Sequence, residues 1–257
     1  MKKNLLYSTM KWEMQRKDIK KNIDKNSSYI TQGLHFILGN LNNDKSDIIY
    51  EYNSLAFEYY NIANKSYFAT EDVEAFKGYY YLSAKAIEMC FILYEKGLRS
   101  RFDRENNDIE SNLAGRAQAD CALLAGEVEL ALHLATRNSV IGNLILRDYG
   151  AAKKYIDVEK ENDKNFKEML LSIIEGSDKN LEAGLRNRIV TIRKEARYEF
   201  TDIDRFGLTI LKLAKMRGMS CDIHVAELPL ILLEDTPIDK TKWVLPVPER
   251  VQVILEQ

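Results

Sequence analysis

Apolar residues along this chain recur at spacings of three and four, the period of one helix face, through most of its length. Combined with the polar turns, that period predicts helices near 8–24, 28–38, 46–64, 72–96, 108–125, 127–136, 139–147, 149–157, 163–175, 178–199 and 202–217. Strand-like alternation is scarce. The four prolines, Pro229, Pro237, Pro246 and Pro248, all follow residue 228. Proline breaks helix interiors, so their absence before that point suits helix after helix. Beyond Met219 the pattern is mixed: Leu228-Pro229 is expected to open a short helix, and WVLPVPERVQVIL reads as extended. The expected fold class is all-α: stacked helical hairpins, solenoid-like or an irregular bundle, ending in a short irregular segment. One domain is expected over 1–257, with N-terminal helices in 1–107, hairpin repeats in 108–218 and a mixed segment in 219–257.

Two N-terminal helices are apolar nearly all round. In 46–64, Ile48, Tyr52, Leu55, Tyr59 and Ile62 share a face, while Tyr50 and Phe57 point elsewhere. In 72–96, YYYLSAKAIEMCFILY leaves chiefly Lys85 and Glu88 for water. Helices of this kind are buried on several sides, as the centre of the fold or beneath a second copy in a homodimer. Farther along, LLAGEVELALHLA, LRDYGAAKKYI and IIEGSDKNLEAGL each set a glycine (Gly126, Gly150, Gly176) between two short amphipathic helices. Glycine suits a helix C-terminus because it takes left-handed dihedrals freely. Hairpins with one apolar face must stack on neighbours, although the spacing and aromatics match no named repeat.

Composition changes this picture little. With 46% hydrophobic and 30% charged residues, the chain is ordinary globular material. The formal net charge of −2 favours neither nucleic acid nor membrane as a partner. Residues 1–25 hold eight basic side chains against three acidic ones, so that segment is +5 and residues 26–257 carry −7. Cys90, Cys121 and Cys221 form neither a disulfide framework nor a zinc pattern. The opening apolar run stops at Lys11, short of a secretion signal, so a reducing cytoplasm is the expected location.

Motifs for nucleotide, hydrolase or zinc-protease chemistry are missing from the sequence, and no cofactor is expected. Cys221, Asp222 and His224 are metal-ligand types in one loop, without a second cluster to complete a site. His35 and His133 lie in helical contexts that suit packing or surface roles better than catalysis. One surface feature stands out. Arg186, Arg193 and Arg197 run along helix 178–199 beside its apolar face of Leu181, Leu185, Ile189 and Ile192. Such a stripe is a candidate partner contact, because guanidinium forks match carboxylates and stack on aromatics. The commoner fate of such arginines is pairing within the chain, here with Glu182, Glu199 or a neighbouring helix.

From about Leu113 to Asp239 the succession of segments carries a likeness. It runs through Leu124-Ala-Gly-Glu, IIEGSDKNLEAGL, DIDRFGLTILKLAKMRGM and Asp222, and ends on AELPLILL. This half of the chain resembles the immunity protein 49 family, helical proteins encoded beside polymorphic toxins in bacteria. The resemblance implies a binder of one cognate toxin domain, without enzymatic chemistry, and assigns no contact residues. The alternative expectation is a helical-repeat adaptor or peptide-binding regulator.

Overall fold

The protein is described here from a computed structural model covering residues 33–43, 45–100, 118–135, 140–156, 164–195 and 203–256. The expected helix at 8–24 and the whole charged segment 1–25 lie outside these residues, as do Arg197 and Glu199. The helices are α1 (Ile48–Thr70), α2 (Val73–Glu95), α3 (Gln118–Leu124), α4 (Val128–Leu134), α5 (Val140–Ile145), α6 (Tyr149–Ile156), α7 (Lys164–Glu175), α8 (Asp178–Glu195), α9 (Arg205–Met216) and α10 (Glu249–Glu256). A 3-10 turn covers Leu230–Leu233, and a helical stretch at 33–41 precedes α1. Among the described residues there is no strand, only an isolated bridge between Val225 and Leu228. The fold is all-α.

The described residues fall into two compact units, divided at 134/135 and 236/237. One comprises the described residues of 33–134 together with 237–256; the other lies within 135–236.

In the first unit, α1 and α2 form its central hairpin. Asp47 caps α1 by accepting from Tyr50 N (3.0 Å), and Asp72 caps α2 by accepting from Ala75 N (2.9 Å). Each supplies an oxygen to a helix N-terminus that lacks backbone partners. Between the helices Leu55, Tyr52, Phe76, Tyr80, Ile87 and Leu93 are fully buried, each Leu- or Phe-sized burial contributing about 1.5–3 kcal/mol. Small residues permit close approach: Ser83 Oγ donates to Ala56 O at 2.8 Å, and the Cys90 thiol to Ile49 O at 3.4 Å. Cys90 is a buried hydrophobe, and burial drives its thiol far above the ordinary range. The core reading of this helix pair holds except at Phe57, which is 62% exposed.

The second unit stacks α7, α8 and α9 around Met169, Leu170, Ile173, Leu181, Leu185, Leu208, Ile210 and Leu213. A Cβ on Gly184 would lie 2.7 Å from Met169 Cγ, so glycine lets α7 and α8 close up. The turn between them is Gly176, at φ 71°, with Ser177 N bonded to Ser172 O and Gly176 N to Ile173 O. The same double bond follows Gly126, at φ 88°. The middle hairpin departs from the sequence reading. Gly150 lies inside the first turn of α6, and the left-handed position belongs to Arg147 at φ 60°. Asp148 N still reaches Asn143 O at 2.8 Å, so the turn is the same with a side chain where glycine is favoured.

The C-terminal segment is half as expected. Pro229 precedes the 3-10 turn, and residues 243–248 have no regular structure. Glu249–Glu256, expected to be extended, is helical instead. Pro248 has the preset φ of a helix start, its carbonyl takes Val251 N (2.8 Å) and Gln252 N (3.0 Å), and Glu249 suits the N-terminal dipole. Burial of Val251 fixes the inward face.

Candidate functional site

The arginines of α8 meet the segments that carried the family likeness. Arg188 Nε donates to Asp204 Oδ2 and its Nη2 to Asp204 Oδ1, both at 2.7 Å. Arg193 grips Glu227 in the same forked way, at 2.7 and 2.9 Å. Both carboxylates are nearly dry, with side chains 3% and 2% exposed, while the arginines are 16% exposed. The Asp204 amide donates to Glu227 O at 2.9 Å, so the two ion pairs share a backbone bridge. Asp204 precedes α9 but makes no side-chain cap there, because its oxygens are turned to Arg188. Gly207 makes room: a Cβ there would stand 2.5 Å from Asp204 Oδ2 and 2.6 Å from Leu228 Cδ2. The IDRFG (203–207) and AELPL (226–230) segments are thereby clamped to one helix.

The Arg-Gly-Met end of α9 has a comparable task. Arg217 Nη1 donates to Ile174 O (2.7 Å) and to Ile173 O, closing the C-terminus of α7, and its guanidinium lies 4.1 Å from the Tyr149 ring centre. Buried Lys212 and neighbouring Lys215 donate to Leu233 O at 3.2 and 3.1 Å, and Lys212 also pairs with Asp235. Cations at carbonyl-rich ends complement the helix dipole.

Of the predicted stripe, the structure places Arg186 and Arg193, and it does not leave them equivalent. Arg186 bonds Glu182 (2.6 and 2.8 Å) and Asp222 O (3.0 Å), yet its side chain remains 36% exposed. Arg193, by contrast, is held inside the fold. Arg188, absent from the sequence-based stripe, is the second committed arginine. Asp204 and Glu227 were the partners missed, and their signal was modest: single acids directly flanked by Ile203, and by Ala226 and Leu228. Exposed Val190 lies between Arg186 and Arg193 on α8, an apolar step on the same helix.

Loop 221–224 provides no ligand cluster. His224 Nε2 and Asp222 Oδ1 are 3.0 Å apart at the surface. The Cys221 thiol is pushed up to about 11, mainly by burial and next by Glu182, which disfavours the thiolate a metal needs. Among the described residues no group of three or more His, Cys, Asp or Glu is placed to hold a metal. His35 and His133 are exposed. No described helix is long and apolar enough to cross a membrane. Comparison with protein-family models, curated proteins and solved structures finds no match.

Proposed function

We propose that this chain is an immunity protein, which neutralises one cognate bacterial toxin in the cytoplasm by binding it and performs no chemistry of its own. The observation carrying this reading is that the segments resembling immunity proteins converge on α8: Asp204 and Glu227 hold Arg188 and Arg193 in one clamped framework. A binder needs such a framework to present a fixed surface, since affinity comes from a few preorganised anchors. The contact surface is the outer side of α8, with Arg186 as the fork and Val190 as its apolar neighbour. The charge of −7 over residues 26–257 would speed encounter with a basic toxin.

The test is co-expression with the toxin domain encoded beside this gene, together with pull-down of that domain. Protection with direct binding is expected, and Arg186→Glu should weaken binding at least tenfold while lowering stability by less than about 1 kcal/mol, the scale of a half-exposed pair. Protection without binding, or no protection, would sink the reading. The second reading, a helical-repeat adaptor or peptide-binding regulator, is favoured by the seat at Gly78, where Trp243 of the irregular stretch 243–248 packs on the helix.

A further inference from the structure

In the unit built on α1 and α2, residues 240–247 lie across the helices as a strap, a hydrogen-bonded turn over 239–243 followed by a stretch without regular structure. Trp243 rests on Gly78 so closely that a Cβ there would come within 2.0–2.4 Å of the indole, and Tyr79 meets the same ring edge-on at 5.0 Å. Val244 is 70% exposed and Leu245 is buried, the alternation of a peptide reading a surface with every second side chain. Tyr52 Oη donates to Pro246 O at 2.9 Å. Ahead of the tryptophan, Lys240 pairs with Glu127 (2.7 Å) and Lys242 with Glu74 (3.0 Å). The receiving surface thus has a flat glycine bed, an aromatic wall, a hydroxyl donor and an acidic rim.

Some of the contacts that hold the strap are weak. Both ion pairs are exposed and contribute little net hold. The indole Nε1–H is buried without an acceptor, a desolvation cost left uncompensated. Residues 234–237, which lead into the strap, are exposed, while Arg250 anchors the far end through Leu41 O, Asn40 O (3.2 Å) and Ser46 Oγ (2.7 Å).

We propose that the Gly78 bed is a binding groove for an extended segment of a partner protein, basic residues followed by an aromatic, an aliphatic and a proline, and that residues 240–247 occupy it as a built-in competitor. The acidic rim of Glu74 and Glu127 selects the basic lead, and the absent Cβ at residue 78 selects the flat ring. The groove does not require the partner to be a toxin, so it stands or falls separately from the immunity reading. Tethering keeps the internal strap at an effective concentration on the order of 1 mM, so a free segment with a Kd near ~10 µM is suppressed roughly hundredfold.

A dye-labelled peptide spanning residues 238–248 is titrated by anisotropy against three full-length proteins: the native chain, Trp243→Ala and Gly78→Ala. Trp243→Ala weakens the competitor and keeps the bed, so the peptide should bind it at least tenfold more tightly than the native chain. Gly78→Ala fills the bed, so binding should fall at least tenfold below that of Trp243→Ala, although alanine itself favours a helix. A peptide carrying the Trp243→Ala change should bind none of the three. Equal binding to all three proteins, or none to Trp243→Ala, overturns the proposal. So does loss of the cooperative melt in Trp243→Ala, which would make the strap an integral part of the core.

Discussion

At the scale of single residues, burial separates the charged groups that hold the fold from those left for contact. Arg193 faces a carboxylate that is 2% exposed, so Arg193→Glu would bury two like charges together. Breaking a buried pair typically costs 3–5 kcal/mol, and a loss of about 3 kcal/mol is expected in a denaturant titration. A change below ~1 kcal/mol would refute the clamp. Arg147 gives the opposite sign: glycine at its φ of 60° should raise stability by about 0.5–1 kcal/mol, read as a higher melting temperature. Tyr59 adds a pH dependence. Burial, then Tyr79, pushes its hydroxyl up to about 12, against 10.0 for the unperturbed group. The folded chain therefore holds this proton after the unfolded chain has lost it, and stability falls as pH rises through that window. Tyr59→Phe should make the fall shallower; an unchanged slope between pH 10 and 12 would contradict it.

At the scale of elements, the helices were legible because apolar spacing and caps agree. Ile48–Thr70 and Val73–Glu95 each begin after an aspartate that bonds the first turn. Two elements were less legible. The turn before α6 is made by backbone bonding around Arg147, and no residue type announces it; Gly150, three positions on, was the misleading mark. In the C-terminal segment, Val-x-Val-Ile suits a strand or a short helix equally, and Val251 burial decides it. The arginine stripe was visible as a helix face, but its pairing was not, since Asp204 and Glu227 approach α8 from sequence separations of 16 and 34. Periodicity describes a face, not what arrives on it.

At the scale of the whole molecule, the division into two units gives an expectation for how damage spreads. Each unit has its own buried set, so Arg193→Glu should reduce hydrogen-exchange protection in α7, α8 and α9 while α1 and α2 keep theirs. Uniform loss across both units would show that they open together.

The strap at Trp243 also bears on how the protein is made. Leu134 leaves the ribosome about a hundred residues before Trp243, an interval of roughly 5–20 s at ordinary elongation rates. Throughout that interval the nascent chain displays Gly78 and Tyr79 with their cover not yet synthesised. The described residues of the unit within 135–236 wait for nothing later in the chain. The unit translated first is therefore completed last, and a chaperone or partner present during synthesis would meet its aromatic groove uncovered.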